Sequence, residues 1–335
     1  MGAKAIARLK ENPGVISSTG NARIKQVRAL RQRKMRQSSG LFVVEGLFAV
    51  GEALEAAREA MRGVGRGETR GVGRGAVRGA ALRGGREKAR EGGVGAVRKA
   101  GVEKGGAGAD IFRPRVEVEA VFYAPELLSS DFGQDAVRAA SDRGVDCHAT
   151  SADVFRSISE RENPQGILAV VRMGPQQLGE LNASNFPWGV ALVNPQDAGN
   201  LGTIVRTVDA VGAAGVVVLD GGVDPQHPNA VRASMGALFW HAVVRATFDE
   251  FTRWAERQGY HVYGSSAKGE KDYRQVEAYQ RPLILLLGSE REGLNAEQRG
   301  FCHELVNVPM GGRVTSLNLA VAAGVLLYAM VDKAD

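Results

Sequence analysis

The sequence contains very little cysteine, since Cys147 and Cys302 are the only two in 335 residues. Disulfides are therefore not needed to explain the fold, and two free thiols are typical of a protein from a reducing compartment. No apolar run reaches about 18 residues, and no charged segment followed by an apolar one opens the chain. These absences predict a soluble, cytoplasmic protein with no membrane partner.

Recognisable metal ligands are also scarce. Cys147-His148 and Cys302-His303 could supply two cysteines and two histidines, but adjacent residues rarely direct both side chains at one ion. Their separation is also not the short spacing of zinc sites. The sequence contains no nucleophile elbow, P-loop or H-E-x-x-H motif. We therefore predict no metal site.

Charge is distributed unevenly along a chain whose length predicts two domains. The formal net charge is +6, but residues 1–40 carry +9, residues 61–110 carry +7 and residues 111–335 carry −7. A local concentration of cations is what a polyanion-binding surface requires, because screening limits attraction to about 8 Å at physiological salt. A merely solvated basic face is the alternative.

A basic helix is predicted near the N-terminus. Asn21 is a suitable cap for a helix running to about Gln37, with Ile24, Val27 and Leu30 near one face. Met35 falls near that face as well. The predicted polyanion-binding residues on the rest of the helix are Arg23, Lys25, Arg28, Arg31, Arg33, Lys34 and Arg36.

Residues 61–113 differ in composition from the rest of the chain. Residues 61–110 contain sixteen glycines and no aromatic residue, and RGVGRGET is followed by the similar RGVGRGAV. Such a segment buries too little apolar surface to offset its ordering entropy. We predict a disordered, cationic insertion within the first domain.

The remaining pattern predicts an α/β protein. Residues 1–15 form an N-terminal extension, residues 16–173 a small α/β domain and residues 174–187 a linker. The second domain, residues 188–335, contains six apolar strand candidates that alternate with helices. They are WGVALV, GVVVL, HAVVRAT, YHVYGSS, LILLLG and LVNVPM. This alternation predicts a parallel sheet covered on both faces.

The segment from Leu283 to Met330 reads twice as strand, glycine turn and helix. In open α/β sheets, ligands bind beyond the carboxyl ends of the strands, where glycines allow close backbone approach. One candidate pocket is therefore walled by Gly288, Met310 to Gly312, and Ser316 to Asn318.

This segment and the stretch from Asn194 to Leu219 resemble the three motifs of the SpoU (TrmH-like) RNA 2′-O-ribose methyltransferases, of the SPOUT superfamily. The resemblance extends to Val231–Phe239, Gly40–Leu54 and 163–171. It implies a SPOUT α/β trefoil-knot domain preceded by a small ribosomal-protein-like α/β domain that binds RNA. It also implies S-adenosyl-L-methionine as cofactor and a homodimer in which the motif-one arginine serves the partner's cofactor site.

Arg206 is the residue that matches this arginine. A guanidinium stays protonated, so Arg206 is not a base, but it can stabilise a developing 2′-alkoxide and grip a phosphate. A helix beginning near Leu201 would place it in the second turn; a surface salt bridge is the alternative role. Glu290 resembles the motif-two glutamate that organises the site and orients Asn200, although a helix N-terminus would also attract it.

The candidate residues fall into two groups. The predicted catalytic residues are Arg206, Asn200, Glu290, Ser316 and Asn318. The predicted cofactor-binding residues are Leu287, Gly288, Val308, Pro309, Met310, Ser316 and Leu317. Ser316, with Thr315 before it, is also expected to cap the last helix, and Met310 alone could simply pack in the core.

The expected function is methylation of a ribose 2′-oxygen in RNA, with 23S (large-subunit) ribosomal RNA as substrate. Transfer RNA is the alternative substrate. A non-catalytic RNA-binding or ribosome-assembly factor is the alternative from another functional class.

Overall fold

The computed structural model describes residues 14–64, 111–266, 269 and 271–333, and within them the chain forms two α/β domains. The first domain contains α1 (Ala22–Ala29), α2 (Arg33–Ser39), β1 (Leu41–Glu45), α3 (Leu47–Val64), β2 (Val116–Tyr123), α4 (Asp131–Ser141), β3 (Asp146–Ala149), α5 (Ala152–Ile158) and β4 (Ile167–Met173). Its sheet has the order β1-β4-β2-β3. Strands β1 and β2 run antiparallel to β4, and β3 runs parallel to β2.

The prediction of one continuous N-terminal helix is wrong, because the helix is broken between α1 and α2. Ile24, Val27 and Leu30 are buried as predicted, but Met35 is exposed. The break frees main-chain carbonyls, and the Arg36 guanidinium donates to two of them, Leu30 O (2.9 Å) and Arg31 O (2.7 Å). A side chain expected on the surface is thereby drawn into the interior.

The predicted insertion is shorter at both ends than its sequence suggests. Residues 61–64 belong to α3. Phe112 N–H donates to Asn185 O, and Arg113 pairs with Glu59 at 2.6 Å. Most of the predicted insertion, residues 65–110, and most of the predicted extension, residues 1–13, lie outside the described residues.

The second domain contains the parallel sheet. Its elements are β5 (Trp188–Val193), α6 (Ala198–Val211), β6 (Gly215–Leu219), α7 (Pro228–Ala233), β7 (Ala242–Ala246), α8 (Phe248–Gln258), β8 (His261–Ser265), β9 (Lys271–Asp272), β10 (Leu283–Leu287), α9 (Ala296–Phe301), β11 (Glu304–Asn307) and α10 (Leu319–Asp332). The strand order is β7-β6-β5-β10-β8-β11-β9, and every neighbouring pair is parallel. The six predicted strands are confirmed, and the short β9 is an addition.

Both faces of this sheet are covered. In β10, Leu283, Leu285 and Leu287 pack into one core cluster, whereas Ile284 and Leu286 pack into another. Because neither face meets water, the strand is a continuous apolar run rather than an alternating one. Helices α6 and α10 cover the first face and α8 covers the second. Within the described residues, no helix is long and apolar enough to cross a membrane.

The stretch predicted as a linker, residues 174–187, packs onto the second domain. Leu181 and Phe186 are buried in its core, and their carbonyls accept hydrogen bonds from Trp254 Nε1 (2.8 Å) and the Tyr260 hydroxyl (2.5 Å). The two domains also share a core. Phe42 stacks on Phe239 with ring centroids 6.4 Å apart.

Candidate active site

The candidate site lies at the carboxyl ends of β5 and β10, which are neighbours in the sheet. The loop after β5 begins with Asn194, a residue with positive φ of 43°, and leads into α6. The loop after β10 runs from Gly288 to Leu294 and leads towards α9. Chain order reverses where β10 joins β5, and such a point opens the crevice in which α/β sheets bind ligands.

Three predicted residues meet here in one hydrogen-bonded chain. Asn318 Nδ2 donates to Asn200 Oδ1 at 3.0 Å, and Asn200 Nδ2 donates to Glu290 Oε1 at 3.3 Å. The main-chain N–H of Gln196 also donates to the Glu290 carboxylate, at 3.1 Å to Oε2. The structure therefore brings Asn200, Glu290 and Asn318 together; we call these three residues the amide–carboxylate chain.

The direction of this chain is set at both of its ends. Asn318 Oδ1 accepts from the N–H groups of Ala320 (2.9 Å) and Val321 (3.3 Å), so the Asn318 amide nitrogen is left to face Asn200. Glu290 can only accept when ionised, so it requires the Asn200 amide nitrogen. The chain ties together the loops after β5 and β10 and the start of α10.

Helix α6 begins at Ala198, earlier than the predicted start near Leu201, so Arg206 lies further from the start of the helix. Asp197 is the cap, since its Oδ1 accepts from Asn200 N–H at 2.8 Å, and the helix starts at Ala198. Arg206 therefore lies in the third turn, not the second. It stands about 9 Å along the axis and about 120° around it from Asn200. Arg206 is exposed and makes no hydrogen bond or ion pair with the residues that the structure describes.

Helix α10 is capped by Asn318, not by Ser316 or Thr315 as predicted. The reason is that the helix starts at Leu319, so the hydroxyls lie too far upstream to reach its free N–H groups. Ser316 and Leu317 are exposed in the loop before the helix. Ser316 makes no hydrogen bond to the amide–carboxylate chain.

The remaining predicted cofactor residues surround the ends of β10 and β11. Leu287 is buried at the end of β10, whereas Val308, Pro309 and Met310 directly follow β11. Within the described part of the chain, residues 308–317 make no backbone–backbone hydrogen bond. Their main-chain N–H and C=O groups are therefore available to a ligand, and Met310 and Leu317 add apolar surface. This combination fits a nucleoside cofactor such as S-adenosyl-L-methionine.

Gly288 has a structural role that the sequence did not reveal. A Cβ at this position would lie 2.1 Å from Gly293 C and 2.3 Å from Leu294 N. A larger residue here would therefore disturb the fold, because the chain packs its own backbone against this glycine. Gly311 and Gly312 are different, since a Cβ on either would meet nothing within 4 Å.

The predicted RNA-binding cations are divided between surface and interior. Arg23, Lys25, Arg31, Arg33 and Lys34 are exposed, and Arg28 is half-buried. Arg36 is only 2 % exposed and pairs with Asp224 of the second domain at 2.8 Å. Its assignment as a phosphate-binding residue is therefore corrected: its guanidinium joins the two domains.

Two residues of the site were not predicted. Gln196 donates its main-chain N–H to Glu290, and its side-chain Nε2 donates to Asn194 O at 2.9 Å. Asp197 caps α6 and thereby fixes the position of Asn200. An aspartate three residues before Asn200 is a helix-start signal, so Asp197 could have been found. No sequence signal marks Gln196, because its contact is made by the main chain.

The two cysteine–histidine pairs lie in different domains. Burial raises the pKa of the Cys147 thiol to about 11, with Asp146 adding to it, and the pKa of the Cys302 thiol to about 12. Among the residues that the structure describes, no group of three or more histidine, cysteine, aspartate or glutamate side chains could hold a metal ion.

Comparison with known families matches both domains. Residues 187–328 match the SpoU rRNA Methylase family, and residues 21–65 match the MRM3-like substrate binding domain. The 23S rRNA (guanosine(2553)-2′-O)-methyltransferase RlmP of Bacillus subtilis is 32% identical over 214 residues, 63% of this chain and 84% of that protein. The 23S rRNA (adenosine(1067)-2′-O)-methyltransferase of Streptomyces laurentii is 30% identical, over 59% of this chain and 73% of the relative.

Solved structures resemble the whole arrangement. The AdoMet-bound rRNA methyltransferase from Sinorhizobium meliloti has a TM-score of 0.68 at 26% identity, covering 94% of this chain and 96% of that chain. The SpoU methyltransferase AviRb from Streptomyces viridochromogenes, in complex with AdoMet, has a TM-score of 0.67 at 25% identity. There the match covers 93% of this chain and 98% of the other.

Proposed function

This chain belongs to the SpoU rRNA methylase family, and from that premise we propose that it methylates a ribose 2′-oxygen of 23S rRNA. S-adenosyl-L-methionine is its cofactor and, when bound, supplies the methyl group. The observation that carries the proposal is the amide–carboxylate chain, which joins the matched motifs at one edge of the sheet. We also propose that it acts in the cytoplasm, where an rRNA substrate would be available.

Residues of the protein itself have separate roles in binding the cofactor and in methyl transfer. Residues 308–317 make no backbone–backbone hydrogen bond within the described residues, and their main-chain groups would hold the cofactor beside the buried Leu287. Asn200, Glu290 and Asn318 hold the surrounding loops in register. Arg206 stabilises the negative charge that develops on the 2′-oxygen and binds the adjacent phosphate, as an unpaired guanidinium can. Methyl transfer then depends on placing the 2′-oxygen in line with the methyl group.

We further propose that the active form is a homodimer in which Arg206 reaches the partner's cofactor site. Arg206 points away from Asn200 of its own chain, by about 120° around α6. Helix α10, which packs against α6, also carries exposed apolar residues at helical spacing. They are Val321 (52% exposed), Tyr328 (54%) and Val331 (39%), and the exposed Leu317 (36%) lies in the loop just before the helix. Such a stripe is typical of an interface between subunits.

The trefoil knot expected of SPOUT domains completes the proposal. It would be formed by the loop of residues 308–317, which leads from β11 into α10 beside the ends of β8 and β10. The first domain, with its exposed cations on α1 and α2, would bind the RNA substrate.

Methyl transfer from tritiated S-adenosyl-L-methionine tests this function. We expect label in unmodified 23S rRNA and, after digestion, in a single 2′-O-methylated nucleotide. Label in transfer RNA alone would show that transfer RNA, not 23S rRNA, is the substrate. No label in either RNA, with cofactor binding intact, would favour a non-catalytic RNA-binding or ribosome-assembly factor.

A further inference from the structure

A cleft of about 310 Å³ separates the two domains beside the carboxyl end of β7. Its polar lining includes Gln37 from α2, Gln176, Gln226 and Arg245. Gln176 Oε1 accepts from Val243 N–H at 2.9 Å, so its amide nitrogen remains a donor. The cleft therefore presents hydrogen-bond donors from both domains.

Arg245 lines this cleft, and Arg33 lies near it. Arg33 lies four residues before Gln37 on the same face of α2, and its Nη1 reaches Gly222 O at 3.5 Å. Burial and the nearby charge of Arg33 lower the pKa of the Arg245 guanidinium, and Asp224 opposes them. Arg245 makes no hydrogen bond or ion pair within the described ranges.

The carboxylate of Asp224 also lines the cleft, but it is already paired with Arg36. Asp224 Oδ2 accepts from Arg36 Nε at 2.9 Å and Nη2 at 2.8 Å. Arg33 and Arg245 therefore place two positive charges near each other, while the carboxylate beside them, Asp224, is paired with Arg36. An anion bound between them would relieve this repulsion and could accept bidentate hydrogen bonds.

The cleft lies along the same edge of the sheet as the active site. Strands β7, β6 and β5 are consecutive, so Arg245 is about 10 Å from the end of β5. Val243, two residues earlier in β7, packs into the core cluster that contains α6. Arg245 therefore projects from the face of the sheet that carries α6, as a strand alternates its side chains.

We propose that Arg33 and Arg245, with the cleft amides, form a subsite for an RNA backbone phosphate a few nucleotides from the methylated ribose. The proposal rests on the proposed function, since that function supplies the RNA and the position of the ribose. Because the subsite takes donors from both domains, it would align a strand held by the first domain with the active site of the second.

Arg33→Gln, Arg245→Gln and the double variant test this subsite, with Arg257→Gln as the matched control. Arg257 is exposed on α8, on the opposite face of the sheet. RNA affinity is measured across a salt series with unmodified 23S rRNA. The double variant should reduce the slope of log affinity against log salt by about 0.7, the contribution of one phosphate, and each single variant should give part of that reduction. The control should behave as wild type.

Steady-state kinetics supply the second measurement. The KM for RNA should rise about tenfold in Arg245→Gln with kcat unchanged, and Arg245→Lys should restore most of the affinity because it keeps the charge. Salt lines parallel to wild type in both single variants would overturn the subsite. If Arg245→Gln does not fold, the exposed Arg33→Gln decides alone. A wild-type protein that transfers no methyl group would overturn the proposed function, whereas its salt slopes would still decide whether the subsite binds RNA.

Discussion

The first and third turns of α6 present their site residues in opposite ways. Asn200, in the first turn, is held by Glu290 and Asn318 of its own chain. Arg206, in the third turn, is exposed and unpaired within the part of the chain that the structure describes. The difference supports the proposal that the paired residues build the pocket, whereas Arg206 acts on substrate at the site of a second subunit.

The largest effect on turnover is expected from substitution of Arg206. Arg206→Ala should lower turnover by about 10² or more, the scale of removing one charge-stabilising donor. Cofactor affinity and the melting temperature should remain near wild type, because Arg206 supports no contact within the described chain. Single-turnover rates within threefold of wild type would contradict the role given to Arg206.

Substitutions at two glycines of the pocket distinguish an effect on folding from an effect on cofactor binding. Gly288→Val should destabilise the protein by about 2 kcal/mol, since the new side chain collides with the backbone of Gly293 and Leu294. Gly311→Trp should leave the melting temperature unchanged but abolish cofactor binding, because its side chain enters the open side of the loop. Thermal melts and calorimetric titration of both variants measure this, and equal melting temperatures would contradict the first assignment.

A smaller effect on turnover is expected from substitution of Glu290, which is hydrogen-bonded to Asn200. Glu290→Gln replaces one of the two carboxylate oxygens by an amide nitrogen, so the N–H of Gln196 and the amide nitrogen of Asn200 no longer each have an acceptor oxygen. Turnover should fall roughly tenfold, the equivalent of one charge-assisted hydrogen bond. Glu292→Gln, two residues later, is the control. Equal rates for the two variants would mean that the tie to Glu290 is not needed for turnover.

The smallest effect on the active site is expected from shortening the predicted insertion. Glu59 and Arg113 are in contact, so a linker of about eight residues can replace residues 66–109. Melting temperature and the methylated position should stay the same, since binding to phosphates carries no sequence information. RNA affinity should show a shallower salt slope, by about 0.7 for each phosphate that the segment no longer neutralises. Parallel slopes would show that these cations do not touch RNA.

The sequence was most informative where one physical rule dominates. Continuous apolar runs such as Leu283–Leu287 predicted buried parallel strands, and the motif glycines located the site at their carboxyl ends. It failed where a contact depends on the tertiary fold. A helix pattern cannot show that Arg36 turns inward to meet Asp224, 188 residues away, nor that Gly288 faces the backbone of its own loop.

Helix boundaries failed for a related reason. Several residues near each start could serve as the cap, and only the tertiary contacts select Asp197 for α6 and Asn318 for α10. The same selection determines which residues are tied together and which remain open. The motifs alone led to the prediction of Asn200, Glu290 and Asn318 as site residues, whereas the hydrogen bonds that link them are visible only in the fold.

Mixing two inactive variants tests most directly whether Arg206 serves the partner's site. Arg206→Ala keeps an intact cofactor pocket, and Gly311→Trp keeps an intact Arg206. In a mixed dimer, the intact pocket faces the intact arginine across the interface, so one site in two is complete. Random exchange of subunits should therefore restore about a quarter of wild-type methyl transfer. A mixture no more active than its two components would show that Arg206 acts within its own chain.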